Sequence, residues 1–133
     1  GKPEDMLHAN RLLLERITTQ IAGELDSHSQ MTGRVQIAPG AQIKNSELRG
    51  PLVIGEGALI EDSFIGPFTA IGPRVTIRHS EIEYSIVMEG SQIEGIGRID
   101  HSLIGRNVAI SRKDRRPEAL SFVLADNSQI KLI

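Results

Sequence analysis

Four histidines, one basic cluster and two glycine-bracketed turns are the parts of this 133-residue sequence whose chemistry could make a site. A histidine titrates near neutrality and can act as a general base; the four are His8, His28, His79 and His101. Arg112, Lys113, Arg115 and Arg116 could hold an anion. Gly55-Glu56-Gly57 and Gly95-Ile96-Gly97 have the composition of phosphate-cradling loops. Glu81, Glu83, Glu89 and Glu94 could supply acid–base carboxylates. The absence of cysteine excludes disulfides, thiolate chemistry and the common Cys-containing zinc sites, and it fits a reducing cytoplasmic setting. Which of these groups can meet depends on the elements that carry them.

Those elements are set by a repeat. Ile37, Ile43, Leu48, Ile54, Ile60, Ile65, Ile71, Ile77, Ile82, Val87, Ile93, Ile99, Ile104 and Ile110 follow one another at steps of five or six residues. Read in threes they make three columns, each stepping by 17 residues and once by 16. Such columns predict a chain that winds into a triangular prism and stacks each coil on the last. Gly or Ala follows many of the aliphatic residues, as in Ile54-Gly55 and Ile65-Gly66, where the backbone bends against the neighbouring coil. Eighteen isoleucines beside one Tyr, three Phe and no Trp suit stacked strands better than a helical bundle. The fold class expected is mainly β, a parallel β-helix of about five coils over residues 35–111. Polar ladders run along one corner, with Ser46, Ser63 and Ser80 in one and Asn45, Asp62 and His79 in the other.

Before the repeat, Pro3-Glu4-Asp5 has the composition of a first helical turn. Met6, Ala9, Leu13, Ile17 and Ile21 continue at helical spacing, which predicts an amphipathic helix over 3–22 and a linker over 24–34. Met31 lies one coil below Leu48 and could begin the third column. After the repeat, 112–116 reads as a charged loop. The runs 119–124 and 129–133 flank Asp126-Asn127-Ser128 as a β-hairpin that would cap one open end. The chain thus divides into an entry segment (1–34), a β-helix (35–111) and a capping segment (112–133). Gly1-Lys2-Pro3, with no initiator Met, suggests a piece of a longer protein.

On this frame the candidate residues separate. His79 precedes Ile82 of the third column and His101 precedes Ile104 of the first, so they occupy different corners. His8 falls on the helix and His28 in the linker. All four read as exposed histidines, and a three-His zinc site is not expected. The glutamates read as a soluble surface and the glycine triplets as coil corners, because neither triplet joins a strand to a helix. The basic cluster reads as a solvated loop. The formal net charge of -2 marks no nucleic-acid partner, and no apolar run is long enough for a membrane span.

The hexapeptide pattern resembles the left-handed parallel β-helix family; the hand comes from the resemblance, since the general crossover rule favours the other. The opening GKPEDMLHANRLLLERI resembles the junction of long-form glucose-1-phosphate thymidylyltransferases, where an Asp-Thr-Gly-x-Pro-Glu-Asp-x-Leu segment leaves the nucleotidyltransferase domain for a C-terminal β-helix. IGPFTAIGP, from Ile65 to Pro73, the x-Ser-x-Ile corners and the closing FVLADNSQIKL resemble that family too, so the likeness covers essentially the whole chain. The resemblance implies a parent transferase that makes a nucleotide sugar from dTTP and glucose 1-phosphate with Mg²⁺. The Gly-rich phosphate loop, lysine and metal-holding carboxylates of that chemistry are not in this sequence. No catalytic, cofactor-binding or metal residue is therefore assigned, and this fragment is not expected to be catalytic by itself. The partners implied are a missing N-terminal catalytic domain and further copies of the chain, a trimer by family analogy. Hexapeptide acyl transfer from a donor such as acetyl-CoA, with a histidine base at a subunit boundary, is the alternative. A purely structural oligomerisation module is the third reading.

Overall fold

The computed structural model describes residues 2–112 and 120–132. Helix α1 spans Pro3–Leu14, with a proline at its start and Glu4 and Asp5 in its first turn. It is shorter than the periodicity predicts. Ile17-Thr18-Thr19 is a β-branched run that a helix tolerates poorly, and the next residues already belong to the first coil.

That coil comprises β1 (Gln20–Ile21), β2 (Glu24–Leu25) and β3 (Gln30–Thr32). The second is β4 (Val35–Ile37), β5 (Gln42–Lys44) and β6 (Glu47–Arg49). The third is β7 (Leu52–Ile54), β8 (Leu59–Glu61) and β9 (Phe64–Ile65), and the fourth β10 (Thr69–Ile71), β11 (Thr76–Arg78) and β12 (Glu81–Glu83). The fifth is β13 (Ile86–Val87), β14 (Gln92–Glu94) and β15 (Ile99–Asp100); β16 (Leu103–Ile104) and β17 (Ala109–Arg112) form two sides of a sixth. Strand β18 (Leu120–Val123) follows. The prism expected over 35–111 is therefore present and one coil longer, because 24–34 is wound rather than a linker.

The strands stack into three parallel sheets, one on each side of the prism: β1-β4-β7-β10-β13-β16, β2-β5-β8-β11-β14-β17, and β3-β6-β9-β12-β15. Column partners face one another in register, as in Ile37↔Ile54, Ile60↔Ile77 and Leu48↔Ile65. Met31↔Leu48 confirms Met31 as the start of the third column. From Ile37 to Ile110 all the column residues except Ile99 are buried, and Ile99 and Met31, both half-buried, pack against the same core. Two further inner columns carry no aliphatic signal along their whole length. Val35, Leu52, Thr69 and Ser85 form one, and Ala41, Ala58, Val75, Ser91 and Val108 the other, all buried. The hydroxyls among them are bonded: Ser91 Oγ donates to Gly105 O at 2.6 Å and accepts Val108 N–H at 3.0 Å.

Helix α1 lies on the first sheet, near β10. Pro3, Leu7, Asn10 and Leu14 form its covered stripe, with Leu14 fully buried, and Ile17 just beyond the helix is half-buried. The stripe read from sequence is thus rotated, since Met6 and Leu13 are exposed. Both stripes have helical spacing, and only the prism decides which is covered. Asn10 Nδ2 donates to Phe68 O at 3.2 Å, and the Arg11 guanidinium sits 5.0 Å over the Phe68 ring.

The C-terminal pairing also differs from the expectation. β18 runs antiparallel to β17, with Ile110↔Phe122 and Ser111↔Ser121, instead of pairing with residues 129–132. Residues 126–127 do turn, with Asn127 at φ +66°, but the chain beyond them crosses the upper end of the prism and packs Ile130 on the core. The unpaired edge of β17 is the nearer template and takes the strand first.

Candidate functional site

The corner between the second and third sheets carries a cluster of polar side chains. A shallow groove there is lined by His28, Asn45, Asp62, His79, Glu47 and Glu81 among others. The second to fifth coils turn sharply at this corner, each through a left-handed residue: Asn45 (φ 45°), Asp62 (48°), His79 (50°) and Gly95 (69°). Asn, Asp and His tolerate this region better than most residues, and Gly best of all. Backbone geometry alone therefore accounts for the residue types that resembled a chemical constellation.

Inside the corner runs a ladder of serines. Ser46, Ser63 and Ser80 each donate to the carbonyl two residues back, at 2.8, 2.7 and 2.9 Å. Each oxygen also accepts an N–H from the coil above: Ser63 N at 3.1 Å, Ser80 N at 3.2 Å and Ile96 N at 2.9 Å. Ser29 continues the ladder downward, bonding Ser46 N at 3.0 Å. Asp26 closes its lower end, accepting from Ser29 Oγ at 2.6 Å and from the N–H groups of His28 and Asn45. The Ser29 hydrogen bond, with help from those N–H groups, holds the Asp26 carboxyl below its ordinary value.

Outside the ladder, Asp62 bridges two coils. It accepts Asn45 Nδ2 at 2.7 Å, and its other oxygen lies 3.4 Å from His79 Nδ1. An acid beside Nδ1 can orient the ring. A base so placed needs a substrate proton within about 3 Å and shelter from water, whereas this groove is open. His28 belongs to the same corner, which the linker reading missed; its 17-residue step to Asn45 is the signal that reveals it. His28 and His79 are three coils apart, roughly 14 Å at the spacing of paired strands, so they do not converge. Among the described residues no three His, Asp or Glu side chains could hold a metal ion.

The other candidates lie elsewhere. His101 is on the corner between the third and first sheets, where Phe68, Tyr84 and His101 stack with centroids 5.4 and 5.2 Å apart. His8 is exposed on α1. Arg112 ends β17 and is exposed; Lys113, Arg115 and Arg116 lie outside the described residues. Glu83 pairs with Arg98 and Glu89 with Arg74. Gly55 and Gly57 donate their N–H groups to Ile71 O and Pro39 O, and Gly95 donates to Arg78 O, so these amides serve coil stacking rather than a phosphate. No described helix is long and apolar enough to cross a membrane.

No family model matches the chain. Among curated proteins, it is 44% identical over 132 residues to the glucose-1-phosphate thymidylyltransferase of Streptomyces antibioticus, and 40% identical over 132 residues to that of Streptomyces griseus. It is 39% identical over 135 residues to the low-salt glycan biosynthesis nucleotidyltransferase Agl11 of Haloferax volcanii. Each match covers 99% of this chain; the chain spans 37% of the length of the two Streptomyces proteins and 38% of the Haloferax protein. With the parallel β-helix in register along that whole match, the chain belongs to the glucose-1-phosphate thymidylyltransferase family, as its C-terminal β-helical region.

Proposed function

We propose that this chain is the assembly domain of a cytoplasmic sugar-1-phosphate nucleotidyltransferase, whose parent reaction converts dTTP and glucose 1-phosphate to dTDP-glucose and pyrophosphate. The carrying observation is the match over 99% of the chain to proteins bearing that name. The parent chemistry, with its Mg²⁺, belongs to the family's nucleotidyltransferase domain. The prism supplies rigidity and surface. Its exposed apolar positions, Met6 and Leu13 on α1 and Ile21 on the first coil, are where further copies or the catalytic domain would be held. A homo-oligomer is the expected state, with the trimer implied by the family as its first form. The test is molar mass by light scattering of the full-length protein with and without this region: removal should lower the number of copies, and an unchanged number would overturn the assembly role.

One observation favours a second reading, acyl transfer from a donor such as acetyl-CoA. It is the Asp62–His79 contact at the open groove. Acetyl-CoA binding that is lost on His79→Ala would support it. The corner geometry already accounts for His79, so it ranks second.

A further inference from the structure

The two ends of the prism are finished differently. At the upper end β18 pairs with β17, and Ile130 packs on the core beside Leu120, Phe122 and Leu132. At the lower end β1, β2 and β3 are each the outermost strand of a sheet. The N–H groups of Ala22, Glu24, Asp26 and Gln30 point up, to carbonyls of the second coil. Successive strand residues alternate, so Ile21, Leu25 and Met31 turn their backbone groups toward the open end. The same three residues begin the inner columns, beneath Ile37, Ile43 and Leu48. Ile21 is 45% exposed although every residue above it in its column is buried. The lower end is a triangle of unpaired edges around an apolar floor.

We propose that this lower end docks against the lower end of a second copy of the chain, about a two-fold axis perpendicular to the prism. A single partner strand would satisfy one edge and leave two open. Another coil offers three edges in the same triangular arrangement. Inverting a prism reverses the sense in which its coil runs, so every edge meets an antiparallel one. At the upper end β18 occupies the edge of β17 and Ile130 packs on the core, so that although β15 and β16 are outermost in their sheets the triangle is obstructed by the chain itself. Lower-to-upper stacking, which would grow filaments, is therefore obstructed, and a two-fold contact joins two copies, or two of the trimers implied by the family, and extends no further along the prism axis. Lys2 and Pro3 line a surface with Leu103 and Gly105 at the upper end, so any chain joined ahead of them enters far from the first coil. With β1 on the axis, Ile21 is buried against its own copy and β2 faces β3 of the other chain. With β2 on the axis, Glu24 would meet itself.

This contact deepens the assembly reading, on which its biological use rests. Because the chain has no cysteine, Ile21→Cys provides a single thiol. A short bismaleimide should link Ile21→Cys chains into covalent dimers, and should leave Val123→Cys, which is 63% exposed in the wild-type chain near the upper end, unlinked. In sedimentation, Ile21→Lys should halve the mass, with circular dichroism reporting retention of the β-helix. Absence of Ile21→Cys linking in a chain that still sediments as an oligomer overturns the end-to-end contact and leaves assembly standing. A monomer at every concentration overturns both.

Discussion

The hydroxyl of Ser63 accepts the backbone N–H of Ser80, one coil above it, at 3.2 Å. The same hydroxyl donates to Glu61 O at 2.7 Å, so one side chain satisfies groups of two coils. Ser63→Ala would strand the Ser80 N–H in a buried corner. A loss of about 1–3 kcal/mol is expected, read as a lower denaturant midpoint with an unchanged slope.

Asp26 closes the same ladder, and its depressed pKa makes it a source of acid sensitivity. A carboxyl whose pKa is lower folded than unfolded stabilises the fold above its ordinary value of 3.8, and that contribution is lost as pH falls through the folded value. Asp26→Asn should flatten the decline in melting temperature between about pH 5 and pH 2. An unchanged profile would remove Asp26 from this role.

Gly55 lies where two coils approach closely. A Cβ built there would stand 2.6 Å from Gly72 C and Pro73 N, both backbone atoms that cannot turn aside. Gly55→Ala should cost about 1–3 kcal/mol as overpacking. Gly97, with open space around it, should accept alanine with little change in the same unfolding experiment.

His79 separates corner geometry from chemistry. At φ 50° it occupies a conformation that costs most residues about 1–2 kcal/mol. His79→Gly should be neutral within about 0.5 kcal/mol or slightly stabilising, while the β-branched His79→Val should be clearly destabilising. A large loss in the glycine variant would mean that the Asp62 contact matters more than the turn.

The prism was legible because its signal is long-range: Ile37, Ile54 and Ile71 repeat in a register that no other fold requires. The first coil was not, since Gln20–Ile21 and Glu24–Leu25 are two-residue strands in polar surroundings, recruited by the coil above them. The orientation of α1 was hidden for a related reason. Leu7 and Leu14 match helical spacing as well as Met6 and Leu13 do, and only the packed sheet distinguishes them. The candidate site was half legible. The ladder of Asn45, Asp62 and His79 could be read from its step, but a step cannot show that the corner demands left-handed backbone.

On the proposed function, thymidylyl transfer would belong to the full-length protein and not to this region. The most direct measurement is pyrophosphate release from dTTP and glucose 1-phosphate with Mg²⁺, comparing the full-length protein with the 133-residue chain. Release that requires both substrates in the full-length protein, and none from the chain alone, is the predicted result. Release by the chain alone, or no release by the full-length protein, would contradict it.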